Sequence, residues 1–234
     1  MTVKGIIIDF DDFAPGNHGF WKNAIREGWE KCEVVADDAL FAEAFLYGEK
    51  ELRRVLPILH FRYEDINLQR IKLELEYLAS NGHFPPSSID EKAKEIYSLC
   101  MQNAMDRLKE VKPEWEKLTV KYPIVVISEF YDTSESILQS AGFFKDVKRI
   151  INFDESKDTK ESPLATAISS IGYPADEIMI IGNSENKTLR SARELGCNPI
   201  VLSSDDVENE TPLTPDEWNC IKTVAGFFEG IVEG

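Results

Sequence analysis

The sequence predicts an α/β protein, a parallel sheet core interrupted by an all-helical insert. Three observations carry that reading. Short apolar runs, Ile6–Ile8, Ile124–Ile127 and Ile178–Ile181, read as strands buried on both faces. From about residue 123 onward such runs alternate with helix-like segments, the pattern of a parallel sheet with helices on both faces. Between the first run and the second, Phe13 to Lys112 is rich in helix formers and holds no convincing strand. An insert of that size should bury its own core and form a second lobe. The expected division is a Rossmann-like core from residues 1–13 and 113–234, with a helical domain at 14–112.

Each element has a local reason. In the insert, Leu68, Ile71, Leu75 and Leu78 repeat at helical spacing after Asp65. The 81–88 segment, Asn-Gly-His-Phe-Pro-Pro-Ser-Ser, is a turn between two long helices. Ser88 and Glu91 form a capping-box pattern ahead of Ile96, Leu99 and Leu108. In the core, Pro123–Ser128 is a buried strand, followed by a helix around Ser134–Ser140 that ends at Gly142. Arg149–Phe153 is a weaker strand. Ser162 caps a helix with Pro163 in its first turn and Gly172 at its end. Glu177–Ile181 is the next strand, and Leu189–Leu195 a helix closed by Gly196. Pro199–Leu202 is the last strand. Thr214-Pro215-Asp216-Glu217 opens a final helix with Trp218, Ile221, Val224, Phe228 and Ile231 on one stripe.

The bulk properties exclude several classes. The 234 residues suffice for one large domain or two modest ones. A formal net charge of −16 argues against a general binder of nucleic acid or anionic membrane, which needs a basic footprint. The four cysteines, Cys32, Cys100, Cys197 and Cys220, stand far apart, which fits neither a zinc spacing nor a dense disulfide framework. The N-terminus runs straight into the first strand without a signal peptide, and no apolar run approaches the ~20 residues of a membrane span. A reducing cytoplasm is the expected compartment. Oligomeric state is not legible.

The most informative segment is Lys4-Gly5-Ile6-Ile7-Ile8-Asp9-Phe10-Asp11-Asp12-Phe13. A buried strand ends abruptly in acids, and open α/β sheets place their ligands at strand carboxyl ends. Asp9 and Asp11 are two apart, so both can face the crevice if the chain stays extended. Close like charges repel unless a cation or a shared proton relieves them. The pair suits Mg²⁺, which binds through one or two carboxylates. It equally suits a carboxylate nucleophile with a second carboxyl as acid/base partner. The plainer reading is a strand followed by an acidic turn.

Later strands end in polar residues as well. Ser128 offers a hydroxyl and a backbone N–H to a phosphate oxygen, or simply caps the following turn. Lys160 stands three residues before Pro163 and can neutralise a phosphate and a nucleophile; most lysines are merely solvated. Gly182-Asn183-Ser184 follows the Ile178–Ile181 run, where a cation ligand belongs, and is otherwise a tight strand-to-helix turn.

Taken together and in order, these residues resemble the haloacid dehalogenase (HAD) superfamily, mostly phosphohydrolases. The resemblance covers nearly the whole chain. The family's Asp-x-Asp motif reads Asp9-Phe10-Asp11-Asp12-Phe13 here, its second motif Ser128, and its third Lys160-Glu161-Ser162-Pro163. The fourth reads Gly182-Asn183-Ser184-Glu185-Asn186-Lys187-Thr188. Phe13 replaces a small Thr or Val, Asn183 replaces the principal motif-four Asp, and Lys187 and Thr188 stand where a second acid is sought.

The resemblance implies a phosphatase of small phosphorylated metabolites. Asp9 would be the nucleophile and Asp11 the acid/base. Ser128 and Lys160 would hold the phosphoryl oxygens. Mg²⁺ would sit among Asp9, the Asp11 carbonyl and Asn183, weakly bound unless Glu185 or Asp12 supplies the missing charge. The helical insert resembles the family's cap and would set substrate choice. Gly16-Asn17-His18-Gly19 is placed at the hinge or pocket rim, with His18 either a substrate contact or, the plainer reading, an exposed loop residue, and Trp21 and Trp29 are expected in the insert's core. The dehalogenase branch typically works without a metal; the Asp9-x-Asp11 pair favours the phosphatase branch. The alternative is a HAD-fold protein that no longer catalyses and instead binds a phosphorylated ligand or a protein partner.

Overall fold

The fold is that of a computed structural model, which describes residues 2–9, 19–55, 63–128, 139, 142–152, 163–182, 187–201 and 212–228. Five strands form its sheet: β1 (Gly5–Asp9), β2 (Ile124–Ser128), β3 (Arg149–Asn152), β4 (Ile178–Gly182) and β5 (Asn198–Val201). Their order is β3-β2-β1-β4-β5, and every neighbouring pair is parallel. The first strand of the chain is therefore the middle of the sheet. This is the Rossmann-like parallel sheet that the apolar runs predict.

Burial follows from the pleat, which sends alternate side chains to opposite faces. Ile7, Val125, Ile127, Ile178 and Ile180 pack in one cluster with Leu164, Ala167 and Ile171 of α5 (Pro163–Ile171) and with Leu189 and Ala192 of α6 (Lys187–Glu194). The alternate residues Ile6, Ile8, Ile124, Val126, Met179 and Ile181 are just as fully buried. Both faces are covered, which is why the strands read as continuous apolar runs rather than alternating ones. Gly5 is needed where β1 meets α5, because a Cβ there would stand 2.5 Å from Ile171 Cγ2.

The chain divides into two compact units, residues 1–17 with 107–233, and residues 18–106. The second unit contains α1 (Gly19–Lys31), α2 (Asp38–Val55), α3 (Tyr63–Ser80) and the first part of α4 (Ile89–Lys121). No described residue between Gly19 and Lys121 is a strand residue. Trp21 and Trp29 are buried in its core, as expected, and Trp29 meets Phe41 edge-on with ring centroids 5.0 Å apart. Asp37 starts α2 by accepting a 2.8 Å hydrogen bond from the Leu40 amide. Arg26 ties α1 to that start, donating to the Ala36 carbonyl at 3.0 Å and to Asp38 at 3.1 Å.

Helix α4 is one continuous helix of 33 residues that runs through Pro113 and supplies residues to both units. Proline lacks an amide proton, so Pro113 cannot bond the Lys109 carbonyl one turn back. The turn of α4 after Pro113 is held instead by burial, with Trp115 and Leu118 fully enclosed and Trp115 packed on Phe143 at 5.2 Å.

The fifth strand, Asn198–Val201, starts one residue before the expected Pro199, and the expected strand ends Phe153 and Leu202 lie outside the described residues. Gly172 and Gly196 close α5 and α6 with φ of +81° and +82°, a conformation that favours glycine. The last helix, α7 (Pro215–Phe228), begins with a reciprocal capping box. The Thr214 amide donates to Glu217 Oε2 at 2.6 Å, and the Glu217 amide donates to Thr214 Oγ1 at 3.3 Å. Trp218, Ile221 and Val224 are buried along its stripe; Ile231 lies outside the described residues, as does the expected helix before Gly142 except for Gln139.

Candidate active site

Four strand ends meet along one edge of the sheet. Asp9 is the last residue of β1 and is paired in register with Ile127 of β2. Ser128 is one residue further and ends β2, in register with Asn152, the last residue of β3. On the other side Ile8 pairs with Ile181, so Gly182 at the end of β4 is level with Asp9. The parallel arrangement alone puts these carboxyl ends on the same side, and the chain enters them from the middle strand outward.

Asp9 is the central group. It follows three isoleucines in a strand hydrogen-bonded on both sides, and it is 2% exposed. Acids are almost never so buried unless they are paired, and Asp9 is not without a partner. Strand alternation puts Asp9 on the face of Ile7, with Ile127 beside it.

The other expected members are placed as follows. Ser128 stands on the adjacent strand. Asn183 is the residue directly after β4, and Lys160 lies in the connection between β3 and α5. Both lie outside the described residues, as do Asp11, Asp12, Glu185 and His18. Thr188 is part of α6 and half-buried rather than at a loop tip. Gly182 leaves little room where β4 meets α6, since a Cβ on it would meet Leu189 at 3.2 Å. Asn152 is a polar strand end that the sequence reading passed over; the signal was its position at the close of an apolar run, beside Ser128.

Cysteine chemistry does not compete for the role of nucleophile. All four thiols are free and buried. Burial pushes Cys100 and Cys220 up to about 12 and Cys197 up to about 11, and raises Cys32, so none is a thiolate at neutral pH. Among the described residues no helix is long and apolar enough to cross a membrane.

The parallel sheet of order 3-2-1-4-5 with its helices, together with the likeness to a solved structure, gives the chain the haloacid dehalogenase-like fold. A haloacid dehalogenase-like family hydrolase from Xanthomonas campestris is similar to it at 15% identity and a TM-score of 0.50, over 96% of this chain and 94% of that one. The magnesium-bound protein YfnB of Bacillus subtilis, assigned as a HAD-hydrolase, is 14% identical with a TM-score of 0.47, covering 92% of each chain. A 2-haloacid dehalogenase from Pseudomonas syringae pv. tomato is likewise 14% identical at 0.47, covering 86% of each. No protein-family model matches the sequence, and no curated protein matches it.

Proposed function

We propose that this chain is a HAD-type hydrolase, a Mg²⁺-dependent phosphatase of small phosphomonoesters. The observation that supports it most is Asp9, a buried acid at the end of the central strand, flanked by the strand ends of Ser128 and Gly182. An acid at the carboxyl end of the middle strand stands where open α/β sheets place their ligands, and the order of the remaining motifs along the chain agrees with it.

In this reading an Asp9 oxygen attacks phosphorus. The bond from phosphorus to the leaving alcohol oxygen breaks, and Asp11 delivers its proton to that oxygen. An aspartyl-phosphate is left on Asp9. Asp11, now a carboxylate, takes a proton from water, whose oxygen attacks the same phosphorus and frees Asp9 and inorganic phosphate. Ser128 and Lys160 hold the phosphoryl oxygens in both steps. Most of the acceleration is positioning and charge stabilisation.

Asp9, the main-chain carbonyl of Asp11 and the amide oxygen of Asn183 would hold Mg²⁺, weakly, because Asn183 brings no charge. When bound, the cation would offset the charge of the carboxylates and of the transferring phosphoryl group. The helical unit would select among small phosphorylated metabolites, and the acidic chain would work in the cytoplasm on neither nucleic acid nor membrane.

A second reading has its own observation. Asn183 and Thr188 leave the fourth motif without its usual acids, and Thr188 is built into α6. In that case the crevice binds a phosphorylated ligand or a protein partner without turnover. A screen of phosphomonoesters with and without Mg²⁺, run beside Asp9→Asn, separates the two. Mg²⁺-dependent phosphate release lost in Asp9→Asn supports the phosphatase. Saturable binding of a phosphomonoester without release supports the impaired site.

A further inference from the structure

The helical unit contains a buried acid that the core chemistry does not use. Glu74 lies in the middle of α3, and none of its surface is exposed. Neither carboxyl oxygen has a hydrogen-bond partner among the described residues. Its own helix surrounds it with the buried Ile71, Leu75 and Leu78. From α2, the backbone at Gly48 comes so close that a Cβ there would stand 2.7 Å from Glu74 Cγ and 3.5 Å from Oε1. The absence of a side chain at residue 48 is what makes room for the carboxyl group.

Among the described residues, three groups face Glu74 electrically. Arg70, one turn earlier on α3, attracts its charge, and Glu49 of α2 repels it. Cys100 of α4 is a neutral thiol whose own ionisation Glu74 opposes. Arg70 is committed elsewhere, with its Nε 2.7 Å from Glu49 Oε1. That contact is an ion pair whose atoms fall outside hydrogen-bond alignment. One guanidinium and two carboxyl groups balance only if one carboxyl keeps its proton. Glu49 is partly exposed and paired; Glu74 is enclosed and receives no hydrogen bond, so the proton belongs on Glu74.

We propose that the helical unit carries a pH-sensitive device: Glu74 is packed between α2 and α3 as a neutral carboxylic acid, and loss of its proton to solvent base loosens the pairing of those two helices. Burial, the larger influence, outweighs the attraction of Arg70 and raises the carboxyl well above the ordinary value of 4.5. The sign follows from linkage. The folded chain holds this proton more tightly than the unfolded chain does. The stabilisation is therefore complete below the ordinary value and is lost as pH rises through the folded one. Over that window the unfolding equilibrium constant gains up to about tenfold per pH unit from this single group. The device lies in α2 and α3, and it stands whether or not the core is a phosphatase.

The test compares the full-length protein with Glu74→Gln, which keeps the shape of a neutral acid and cannot ionise. Denaturant unfolding is followed from about pH 5 to about pH 9. The wild-type unfolding constant should climb more steeply than that of Glu74→Gln, by up to about tenfold per pH unit. Hydrogen exchange at α2 and α3 amides, corrected for the intrinsic rate, should accelerate with pH in the wild type only. Parallel pH profiles for the two proteins would overturn the proposal. If Glu74→Gln does not fold, infrared titration of wild type with isotope-labelled glutamate decides alone. A protonated-carboxyl band that persists at neutral pH supports the device, and complete ionisation of every glutamate by neutral pH overturns it.

Discussion

Asp9 and Ser128 end neighbouring strands one register step apart, with Asp9 opposite Ile127 and Ser128 just beyond it. That offset brings an acid and a hydroxyl-bearing residue to the same edge from chain positions far apart. In the proposed phosphatase, Asp9→Asn removes the nucleophile at nearly unchanged shape. Mg²⁺-dependent phosphate release should fall by roughly a thousandfold or more, with the circular dichroism spectrum unchanged. Ser128→Ala removes one oxyanion donor and should cost roughly a hundredfold in kcat, to within a factor of ten. Activity of Asp9→Asn within a few-fold of wild type would remove Asp9 from the mechanism.

Asn183 puts a neutral amide where the family pattern has a carboxylate. Mg²⁺ dehydrates reluctantly and relies on anionic ligands. Asn183→Asp should tighten Mg²⁺ by roughly tenfold to hundreds-fold, read by calorimetric titration. It should also raise turnover if Asp9 and Asp11 are competent. Equal affinities in the two proteins would show that Glu185, Asp12 or another acid supplies the charge.

Gly5 and Ile171 leave no room between β1 and α5. Gly5→Ala should destabilise the core by about 1–3 kcal/mol through overpacking, measured by chemical denaturation. Ile171→Ala should cost less on the Gly5→Ala chain than on the wild type, since it removes Cγ2, the atom 2.5 Å from the new Cβ. Additive costs in the double variant would mean the clash is relieved elsewhere.

Thr214 and Glu217 satisfy each other's main-chain amides at the start of α7. Thr214→Ala should cost about 1 kcal/mol and Thr214→Ser much less, because the hydroxyl is the group that matters. A loss of the same size in both variants would assign the effect to the methyl group instead.

The sheet was legible because its strands are buried on both faces. Ile6–Ile8, Ile124–Ile127 and Ile178–Ile181 have no polar face to confuse the reading, and helix-closing glycines such as Gly172 and Gly196 stand where the left-handed conformation demands them. Boundaries were less legible. Asn152 and Asn198 take part in strands although asparagine disfavours them, because pairing with β2 and β4 outweighs local preference. Nothing local announces that α4 continues through Pro113; burial of Trp115 and Leu118 sustains it.

The sequence by itself determined the parallel α/β class, the helical insert after the first strand, and Asp9 and Ser128 as strand-end residues. These follow from apolar run length, periodicity and turn chemistry, which are local properties. Only the tertiary structure decided that β1 is the middle strand, that Asp9 is level with Ile127 and Gly182, and that Glu74 is enclosed against Gly48. Glu74 stands at i+3 from Ile71, on the same side of α3 as the apolar stripe, and the sequence did not single it out. Strand order, register and the burial of an acid depend on which distant segments pack together, and no window along the chain contains both partners.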